Sequence, residues 1–302
     1  GIGMYIRFSA VSRQEMIQST KKLMEQTGEN LEDYLVSMRQ ISDAVYYNVI
    51  KESDLTSSEN GIRQGMNLLY EANRSRLRSI AIYNNYGSLM AAEPVALQKE
   101  DPNVTKQEWY EKAVGDTANM HFSAPHIQNL FDDGTRQYYW VISLSRVVEL
   151  TDRGVPITGV LLVDMDYAGI SRMMKKINVS NNGQYYYLCD GNGQIIYHRK
   201  QMQIRQGIAK ENSRKAAGFK DGVYDDVFDG EHRKVIVNTI SYTGWKLIGI
   251  IPDAAFTHDM FDIKYFIVLL ILLMAMMLAV INRMISVRIS RPILKLKNSV
   301  ME

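Results

Sequence analysis

An unbroken apolar run near the C-terminus constrains this chain more than any other part of its sequence. Tyr265 to Ile281 (YFIVLLILLMAMMLAVI) contains no charged residue, no proline and no glycine. As an α-helix it would be about 25 Å long, or about 30 Å with its flanking residues, which matches the hydrocarbon core of a bilayer. A buried core helix normally shows polar residues at helical spacing. The run therefore predicts a transmembrane helix over residues 264–284.

The charges beside this run predict its orientation. Five basic residues and one acid follow it, whereas three aspartates and one lysine precede it. Because Lys and Arg collect on the cytoplasmic side of a membrane span, we expect a plasma-membrane protein with residues 284–302 in the cytoplasm and about residues 10–262 outside the cell. The following charges are Arg283, Arg288, Arg291, Lys295, Lys297 and Glu302, and the preceding ones are Asp253, Asp259, Asp262 and Lys264.

The composition excludes some classes of protein. Of the 302 residues, 46% are hydrophobic and 23% are charged, which is a globular balance that allows two domains besides the membrane segment. The net charge is only +2, and much of the positive charge lies beside the membrane, so we expect no nucleic-acid partner. The single cysteine, Cys189, rules out an internal disulfide and fits a bacterial exterior domain that relies on core packing.

A helical stripe predicts a long N-terminal helix over residues 9–50. Apolar residues recur there at steps of three, four and seven, and no proline interrupts them. A helix of this length would be about 60 Å long, too long for both ends to pack in a small domain. The pattern favours a spine that pairs with a second copy over a helix lying flat on a globule. Residues 1–8 fit the outer end of a first transmembrane helix, and we expect the chain to be part of a longer protein.

Two groups of strand patterns follow this helix. The first, residues 51–178, combines about five antiparallel strands, including Gln137–Val148 and Thr158–Asp166, with a short helix at Lys106–Asp116. The second, residues 179–255, repeats the plan on a smaller scale and contains a clear hairpin. The predicted fold class is therefore α+β: a long N-terminal helix, two antiparallel-sheet domains and a transmembrane helix.

The order of these parts resembles a double Cache domain (dCache), an extracellular sensor of bacterial receptors. Glu108–Ala113 (EWYEKA) resembles the WYxxA helix of the larger Cache domain, and Thr158–Asp164 (TGVLLVD) resembles its closing strand. Asp190–His198 (DGNGQIIYH) and Thr243–Trp245 are similar to the hairpin and last strand of the smaller domain. The resemblance covers about residues 10–255. It implies two PAS-like sheets, a membrane-distal subdomain at 51–178 and a membrane-proximal one at 179–255.

The residues after the apolar run, 285–302, resemble the start of a HAMP signalling helix. Pro292 suits a first helical turn, and Ile293, Leu296 and Val300 would form a seam for a parallel bundle. The alternative is a basic tail lying on anionic lipid. The whole arrangement resembles sensor histidine kinases of the YesM kind in Gram-positive bacteria, which implies a homodimer and a cytoplasmic kinase or other signalling module after residue 302. A methyl-accepting chemotaxis receptor is the first alternative, and a surface scaffold that senses nothing is another.

The resemblance also implies a small-molecule site between the sheet of the larger domain and the WY helix. Aromatic side chains there would supply a rigid wall, and a carboxylate would orient a cation or a hydroxyl. Family members that sense amino acids carry an Arg two residues before the Trp, where this chain has Gln107. Sugars, amines and nucleobases therefore all remain open as ligands. The residues that would bind the ligand are Gln107, Trp109, Tyr110, His126, Tyr139 and Asp164.

Each of these residues has an ordinary structural alternative. Trp109 and Tyr110 would otherwise fill the domain core, Asp164 would cap the helix that begins near Tyr167, and His126 would be a surface histidine. On the strand Gln137–Val148, alternation places one set in the core and points Tyr139 from the opposite face. That core set is Tyr138, Trp140, Ile142 and Leu144.

No sequence motif indicates catalysis. His121 and His126 have no cysteine or carboxylate at metal-ligand spacing, and the chain lacks a GxSxG motif, a P-loop and a dinucleotide fingerprint. We therefore expect no catalytic residue, no metal and no cofactor in these 302 residues.

Overall fold

The computed structural model describes residues 2–95, 97–99, 102–132, 134, 137–179 and 183–299, with the side chains of 2–6, 8, 9, 257–264 and 286–299 left out. The helices are α1 (Ile2–Val45), α2 (Glu59–Asn73), α3 (Glu108–Gly115), α4 (Ala168–Ile177), α5 (Gln201–Arg205), α6 (Ser213–Ala217) and α7 (Asp253–Ser299). The strands are β1 (Leu77–Asn84), β2 (Leu89–Glu93), β3 (Leu97–Gln98), β4 (His121–Phe122), β5 (His126–Ile127), β6 (Phe131–Asp132), β7 (Trp140–Asp152), β8 (Val155–Asp166), β9 (Tyr185–Cys189), β10 (Ile195–Tyr197), β11 (Gly222–Phe228), β12 (Glu231–Ile240) and β13 (Trp245–Pro252). A long N-terminal helix, two antiparallel sheets and an apolar C-terminal helix confirm the predicted α+β class.

The chain forms two compact units. Residues 17–251 make up the larger one, which holds both sheets, and residues 1–16 with 252–302 make up the smaller one. Within the larger unit, the first module is the first sheet with α2, α3 and α4, and the second module is the second sheet with α5 and α6. A π-helical turn, Tyr46–Ile50, follows α1, and a 3-10 turn, Val104–Lys106, precedes α3.

The part of α1 that belongs to the larger unit supports both sheets. The Tyr34 hydroxyl donates to the Asp166 carbonyl of the first sheet at 2.7 Å. A Cβ on Gly249 of the second sheet would lie 2.6 Å from Met24 Sδ, so helix and strand are closely packed there. The fully buried residues of its apolar stripe are Met24, Leu31, Leu35, Met38 and Val45. Pairing of this helix with a second copy stays a prediction.

The first sheet has the strand order β2-β1-β8-β7-β4, with β5 also paired to β7. One face packs against α3, where the Ser145 hydroxyl donates to the Trp109 carbonyl at 2.7 Å. The other face packs against α1, where Arg146 and Asp43 form an ion pair of 2.6 Å. Because both faces are covered, β7 and β8 contain consecutive buried residues instead of the alternation of a half-exposed strand.

The start of β7 differs from the sequence prediction. Ile142 and Leu144 are fully buried, as predicted, and Trp140 is half-buried. Tyr138, however, is 79% exposed, so its assignment to the core is wrong. The strand begins only at Trp140, and Tyr138 therefore precedes the ladder that would hold its side chain against the core.

The second sheet has the order β10-β9-β13-β12-β11 and is also antiparallel. One face buries a cluster that includes Tyr187, Cys189, Val235 and Ile248, together with Ala216 of α6. Cys189 is fully buried, and burial raises the pKa of its thiol to about 12. It therefore acts as a small core residue, as the sequence predicts.

The helix α7 contains the predicted membrane span. Tyr265–Ile285 has a mean hydropathy of 2.7 and exposed side chains, and it is long and apolar enough to cross a membrane. The helix continues to Ser299, but the side chains of the predicted HAMP seam lie outside the described residues, and Val300 lies outside them altogether. The orientation of the span and the nature of residues 1–8 and 285–302 stay predictions.

Candidate functional site

Trp109 and Tyr110 lie in the core between α3 and the first sheet. The two side chains are only 3% and 5% exposed, and the Trp109 ring lies 5.5 Å from the ring of Tyr83 on β1. The Tyr110 hydroxyl donates to the Asn84 carbonyl at 3.1 Å, which ties the helix to the end of β1. Both rings therefore have the packing of core residues in this structure.

Gln107 lies immediately before α3 in an extended conformation. Its side-chain amide donates to the Pro102 carbonyl at 3.2 Å. The amide is thus bonded to its own loop, and the structure does not bring it to the other predicted site residues.

Asp164 lies on the same sheet face as Trp109 and is 1% exposed. Its carboxylate accepts hydrogen bonds from the hydroxyls of Ser79 at 2.9 Å and Ser143 at 2.5 Å, which stand opposite it on the neighbouring strands β1 and β7. The cap of α4 is made by Asp166 instead, whose carboxylate accepts from the Ala168 N–H at 2.8 Å. Asp164 is therefore a buried carboxylate held by two serines.

His126 joins this polar cluster through Ser143. Its Nε2 lies 3.3 Å from the Ser143 hydroxyl oxygen, and its Nδ1 lies 3.0 Å from the Ala124 carbonyl and 3.2 Å from the Ser123 hydroxyl. The Ala124 carbonyl can only accept, so Nδ1 donates to it, and Nε2 faces the Ser143 hydroxyl. The half-buried His126 is thus part of a hydrogen-bonded chain that ends at Asp164.

Burial dominates the electrostatics of Asp164. Burial raises the pKa of the Asp164 carboxyl, although the hydrogen bond from Ser143 and the nearby His126 oppose that shift. Burial and the charge of Asp164 also raise the pKa of Tyr83. The Tyr83 hydroxyl is buried and has no hydrogen-bond partner among the described residues. Such groups cluster at binding sites, because they are not arranged for the stability of the empty protein.

A cavity of about 410 Å³ lies beside the cluster. Ser79, whose hydroxyl donates to Asp164, is one of its lining residues, and so is Phe131, which packs in the same core cluster as Trp109. The strand pair β3 and β6 contributes Phe131 and Asp132, and the neighbouring Lys99 N–H donates to the Leu130 carbonyl at 2.9 Å. The lining residues are Tyr70, Arg78, Ser79, Pro94, Lys99, Gln128, Phe131, Asp132, Gln137, Tyr138 and Tyr139.

Tyr139 is the predicted site residue that lines this cavity directly. Its ring lies 4.4 Å from the guanidinium of Arg78, and its hydroxyl donates to Gln137 Oε1 at 3.1 Å. Arg78 in turn pairs with Asp166 at 2.6 Å. The structure therefore places Tyr139 on the cavity wall and Asp164 directly behind Ser79. Gln107, Trp109, Tyr110 and His126 are not among the lining residues.

No motif in the sequence pointed to Arg78, Ser79 or Lys99. Ser79 lies 85 positions from Asp164, and only the antiparallel register of β1 on β8 brings them together. Arg78 occupies an irregularity in that register, so its side chain reaches the cavity next to Ser79. A correct prediction of how β1 pairs with β8 would have identified both Arg78 and Ser79.

Other cavities lie elsewhere among the described residues, and these residues contain no cluster suited to a metal. One cavity, of about 470 Å³, is lined by residues that include Arg39, His121, Phe122, Tyr242 and Trp245, and another of about 260 Å³ lies between α2 and β2. Among those same residues, no group of three or more His, Cys, Asp or Glu side chains could hold a metal ion.

Comparison with known proteins identifies the family. The profile of the Cache domain (dCache_1) matches residues 8–260. The methyl-accepting chemotaxis protein TlpB of Bacillus subtilis (strain 168) is 24% identical over 245 residues, which are 78% of this chain and 33% of that protein. The methyl-accepting chemotaxis protein McpA of the same strain is 21% identical over 147 residues, which are 49% of this chain and 20% of that protein. The chain thus spans a third or less of the length of these relatives.

Solved structures show the same fold at low identity. The ligand-binding domain of the Pseudomonas fluorescens chemoreceptor CtaA in complex with L-isoleucine has a TM-score of 0.58 at 16% identity, covering 82% of this chain and 98% of that one. The ligand-binding domain of PctC, an amino-acid chemoreceptor of Pseudomonas aeruginosa PAO1, in complex with GABA has a TM-score of 0.56 at 15% identity, covering 78% and 98%. The ligand-binding domain of Mlp24 with asparagine has a TM-score of 0.59 at 13% identity, covering 83% and 98%. The chain therefore belongs to the Cache domain family.

Proposed function

We propose that this chain is the sensing part of a methyl-accepting chemotaxis receptor. Both curated relatives described above are chemotaxis proteins, and TlpB aligns with 78% of this chain. This support favours the chemotaxis alternative over the histidine kinase that the resemblance to YesM-type proteins implied. We also propose that the receptor is a homodimer with residues 10–262 outside the cell and the first module farther from the membrane. A cytoplasmic signalling module would follow residue 302.

The observation that carries the sensing role is the cavity beside Asp164. A volume of about 410 Å³ is within the range of small-molecule pockets. Its wall contains the aromatic rings of Tyr139 and Phe131, and Ser79 separates it from the buried Asp164 carboxylate. A cavity of this size next to a carboxylate that has no Lys or Arg partner in the described part of the chain suits a ligand that supplies a positive charge.

The ligand that fits best is a small amine that also carries an acidic group. Its ammonium would replace one serine hydroxyl as a donor to Asp164, and an aromatic wall such as Tyr139 favours a cation nearby. Because Gln107 replaces the family's arginine, the acidic group would be held elsewhere in the pocket, by Lys99 or by Arg78. The solved structures of CtaA, PctC and Mlp24 contain L-isoleucine, GABA and asparagine, which are molecules of this class.

Signalling would start at the strands that hold Asp164. A ligand ammonium that takes over the position of a serine hydroxyl changes the contacts between β1, β7 and β8. Only a difference in affinity between two states can shift their populations, and a few kcal/mol is sufficient. We propose that this shift moves the apolar helix α7 relative to the membrane and so reaches the cytoplasmic module.

Thermal unfolding of the whole chain in detergent micelles tests the sensing role. A panel of amino acids, other amines, sugars, organic acids and nucleosides is added, and unfolding is followed by tryptophan fluorescence. A true ligand at about 100 times its Kd stabilises the protein by about 2.7 kcal/mol. Asp164→Asn should abolish the response, whereas the control Asp225→Asn, which changes an exposed aspartate of the second module, should keep it. A flat panel would favour the scaffold alternative.

The parent gene tests the type of receptor. A chemotaxis receptor requires a long coiled coil after residue 302, whereas a sensor kinase requires a dimerisation helix with a phospho-accepting histidine and an ATP-binding domain. Reading the coding sequence downstream of residue 302 distinguishes the two. A kinase domain there would overturn the chemotaxis assignment and leave the ligand site unaffected.

A further inference from the structure

The second module buries the carboxylate of Glu211, a residue of the segment that covers its sheet. We define the cover segment as residues 199–218, which contain α5 and α6. Ala216 and Ala217 of this segment pack on the buried face of the second sheet, and Arg199 lies over the ring of Tyr185 at 4.6 Å. Glu211, from the middle of the segment, reaches the same face with a side chain that is only 2% exposed.

The contacts of Glu211 are those of a bound carboxylate ligand. The Tyr185 hydroxyl of β9 donates to Oε2 at 2.7 Å, and Arg233 Nη1 of β12 donates to Oε1 at 3.0 Å. The backbone N–H of Asn212 donates to Oε1 at 2.9 Å. Burial alone would raise the pKa of Glu211, but the nearby His198, the hydrogen bond from Tyr185 and the charge of Arg233 outweigh it and lower the pKa to about 2. The sheet thus recognises the ionised carboxylate.

Glu211 does not satisfy all the donors around it. His198 Nδ1 accepts from the Lys200 N–H at 2.9 Å, so the ring proton is on Nε2. That Nε2 lies 3.5 Å from Glu211 Oε2, which is long for a hydrogen bond, and has no closer partner in the described chain. The Tyr187 hydroxyl, whose ring lies 5.6 Å from the ring of His198, is likewise buried without a partner among those residues. Glu211 therefore leaves two buried donors, His198 Nε2 and the Tyr187 hydroxyl, without an acceptor among the described residues. A ligand that accepted from them would satisfy the site better than Glu211 does.

The charges of the site require an anion. Arg233 Nε also donates to Asp226 at 3.0 Å, and Lys215 donates to the other oxygen of Asp226 at 2.5 Å. Two cations and two carboxylates are therefore balanced while Glu211 is in place. When Glu211 withdraws, the buried Arg233 keeps only Asp226 as a carboxylate partner among the described residues, and it shares Asp226 with Lys215. The resulting net positive charge would attract a free anion.

We propose that Arg233, Tyr185 and His198 form a second binding site, for a small free monocarboxylate, and that Glu211 occupies it as a tethered ligand while the cover segment is closed. The free carboxylate and Glu211 compete, so binding opens the cover segment. A short tether gives Glu211 an effective concentration in the millimolar range, and free carboxylate must reach that range to compete. This site is separate from the cavity beside Asp164, so either proposal can fail without the other.

Chemical rescue tests the site. In the 302-residue chain in detergent micelles, Glu211→Ala empties the position of the carboxylate and should lower the unfolding midpoint. Acetate, compared with chloride at equal ionic strength, should recover at least half of that loss in a saturable manner. If Glu211→Ala does not fold in chloride, the result expected is folded, monodisperse protein when it is prepared in acetate. No rescue by acetate in either form of the experiment overturns the proposal.

Two variants serve as controls. Glu211→Gln keeps the site filled with a neutral side chain of the same shape, so acetate should stabilise it less than it stabilises Glu211→Ala. Adding Tyr185→Phe to Glu211→Ala removes one donor to the carboxylate and should raise the acetate concentration needed for half of the effect about five-fold. An unchanged acetate response in that double variant would mean that acetate acts elsewhere, which also counts against the site.

Hydrogen exchange of the wild-type chain tests the competition. Millimolar acetate should increase exchange within residues 199–218 and leave the exchange of the first module unchanged. Glu211→Gln provides the reference for a cover segment held without the ionic contact. Exchange in residues 199–218 that does not respond to acetate would show that Glu211 is a structural ion-pair partner only.

Discussion

The Ser143 hydroxyl donates to the Asp164 carboxylate over 2.5 Å inside the first sheet. The only other hydrogen bond to this carboxylate from the described residues comes from the neutral Ser79 hydroxyl, and no Lys or Arg of that part of the chain pairs with it. A buried charge held by neutral donors costs stability in the empty protein. This arrangement is what the proposed role of Asp164, pairing with a cationic ligand, requires.

The first prediction concerns the stability of Asp164→Asn. The folded protein raises the pKa of Asp164, so ionisation of this carboxyl opposes folding as the pH rises through the folded-state pKa. Near neutral pH, the free energy of unfolding of the asparagine variant should therefore exceed that of the wild type by roughly 1 kcal/mol.

The pH dependence checks that explanation. Below the unfolded-state pKa of about 3.9 the carboxyl is protonated in both states, and the difference between the two proteins should become small. Unfolding midpoints of both proteins measured from acid to neutral pH give this comparison. A variant that is less stable than the wild type at neutral pH would contradict the reading of Asp164 as a residue held for a ligand.

The second prediction concerns Trp109. Its buried ring packs against Tyr83, so Trp109→Ala should reduce the free energy of unfolding by about 3–5 kcal/mol. Val114→Ala, on the same helix but half exposed, should change it by no more than about 0.5 kcal/mol. Denaturant unfolding measures both. If Trp109→Ala kept full stability and lost only ligand binding, Trp109 would belong to the pocket wall and not to the core.

The third prediction compares two glycines. A Cβ on Gly159 of β8 would lie 2.5 Å from the Tyr83 carbonyl oxygen, a backbone atom that cannot move away cheaply. Gly159→Ala should therefore destabilise the protein by about 2–3 kcal/mol. Gly61 lies in α2 with open space around its Cβ position, and Gly61→Ala should stabilise by about 0.5–1 kcal/mol. Equal effects of the two substitutions would show that close packing of β8 on β1 is unimportant.

The fourth prediction concerns acid unfolding and Glu211. Its folded pKa of about 2 lies below the ordinary value, so the ionised carboxylate stabilises the fold above the unfolded-state pKa, and that contribution is lost as the pH falls toward 2. The contribution is roughly 3 kcal/mol. The wild type should exceed Glu211→Gln in stability by the most above about pH 5, and the gap should narrow in acid. A gap that stays constant across this range would exclude a charge-dependent role for Glu211.

Local patterns predicted most of the secondary structure. The helical stripe in residues 9–50 and the uniform apolar run at Tyr265–Ile281 both appear as helices, because their periodicity depends only on side chains close in sequence. Strands such as Thr158–Asp166 appear within three residues of the expected start. The prediction that Tyr138 lies in the core was wrong, because alternation does not show where the hydrogen-bonded ladder begins.

The candidate site was predicted less completely. The motif resemblance led to Asp164, which lies behind the cavity wall, and to Trp109 and Tyr110, whose rings pack in the core. Strand alternation led to Tyr139, which lines the cavity. It missed Ser79 and Arg78, because no short motif links them to Asp164. Glu211 was missed for the same reason: its partners Tyr185 and Arg233 lie on other strands, 26 and 22 positions away.

The sequence by itself determined the α+β class, the order of the two sheets and the apolar helix, since each of these depends on the periodicity and composition of one continuous segment. The tertiary structure alone decided which side chains meet. Strand register places Ser79 and Ser143 on Asp164, and the packing of the cover segment places Glu211 on Arg233. Long-range pairing of this kind is set by the packing of the whole core, which no local pattern records.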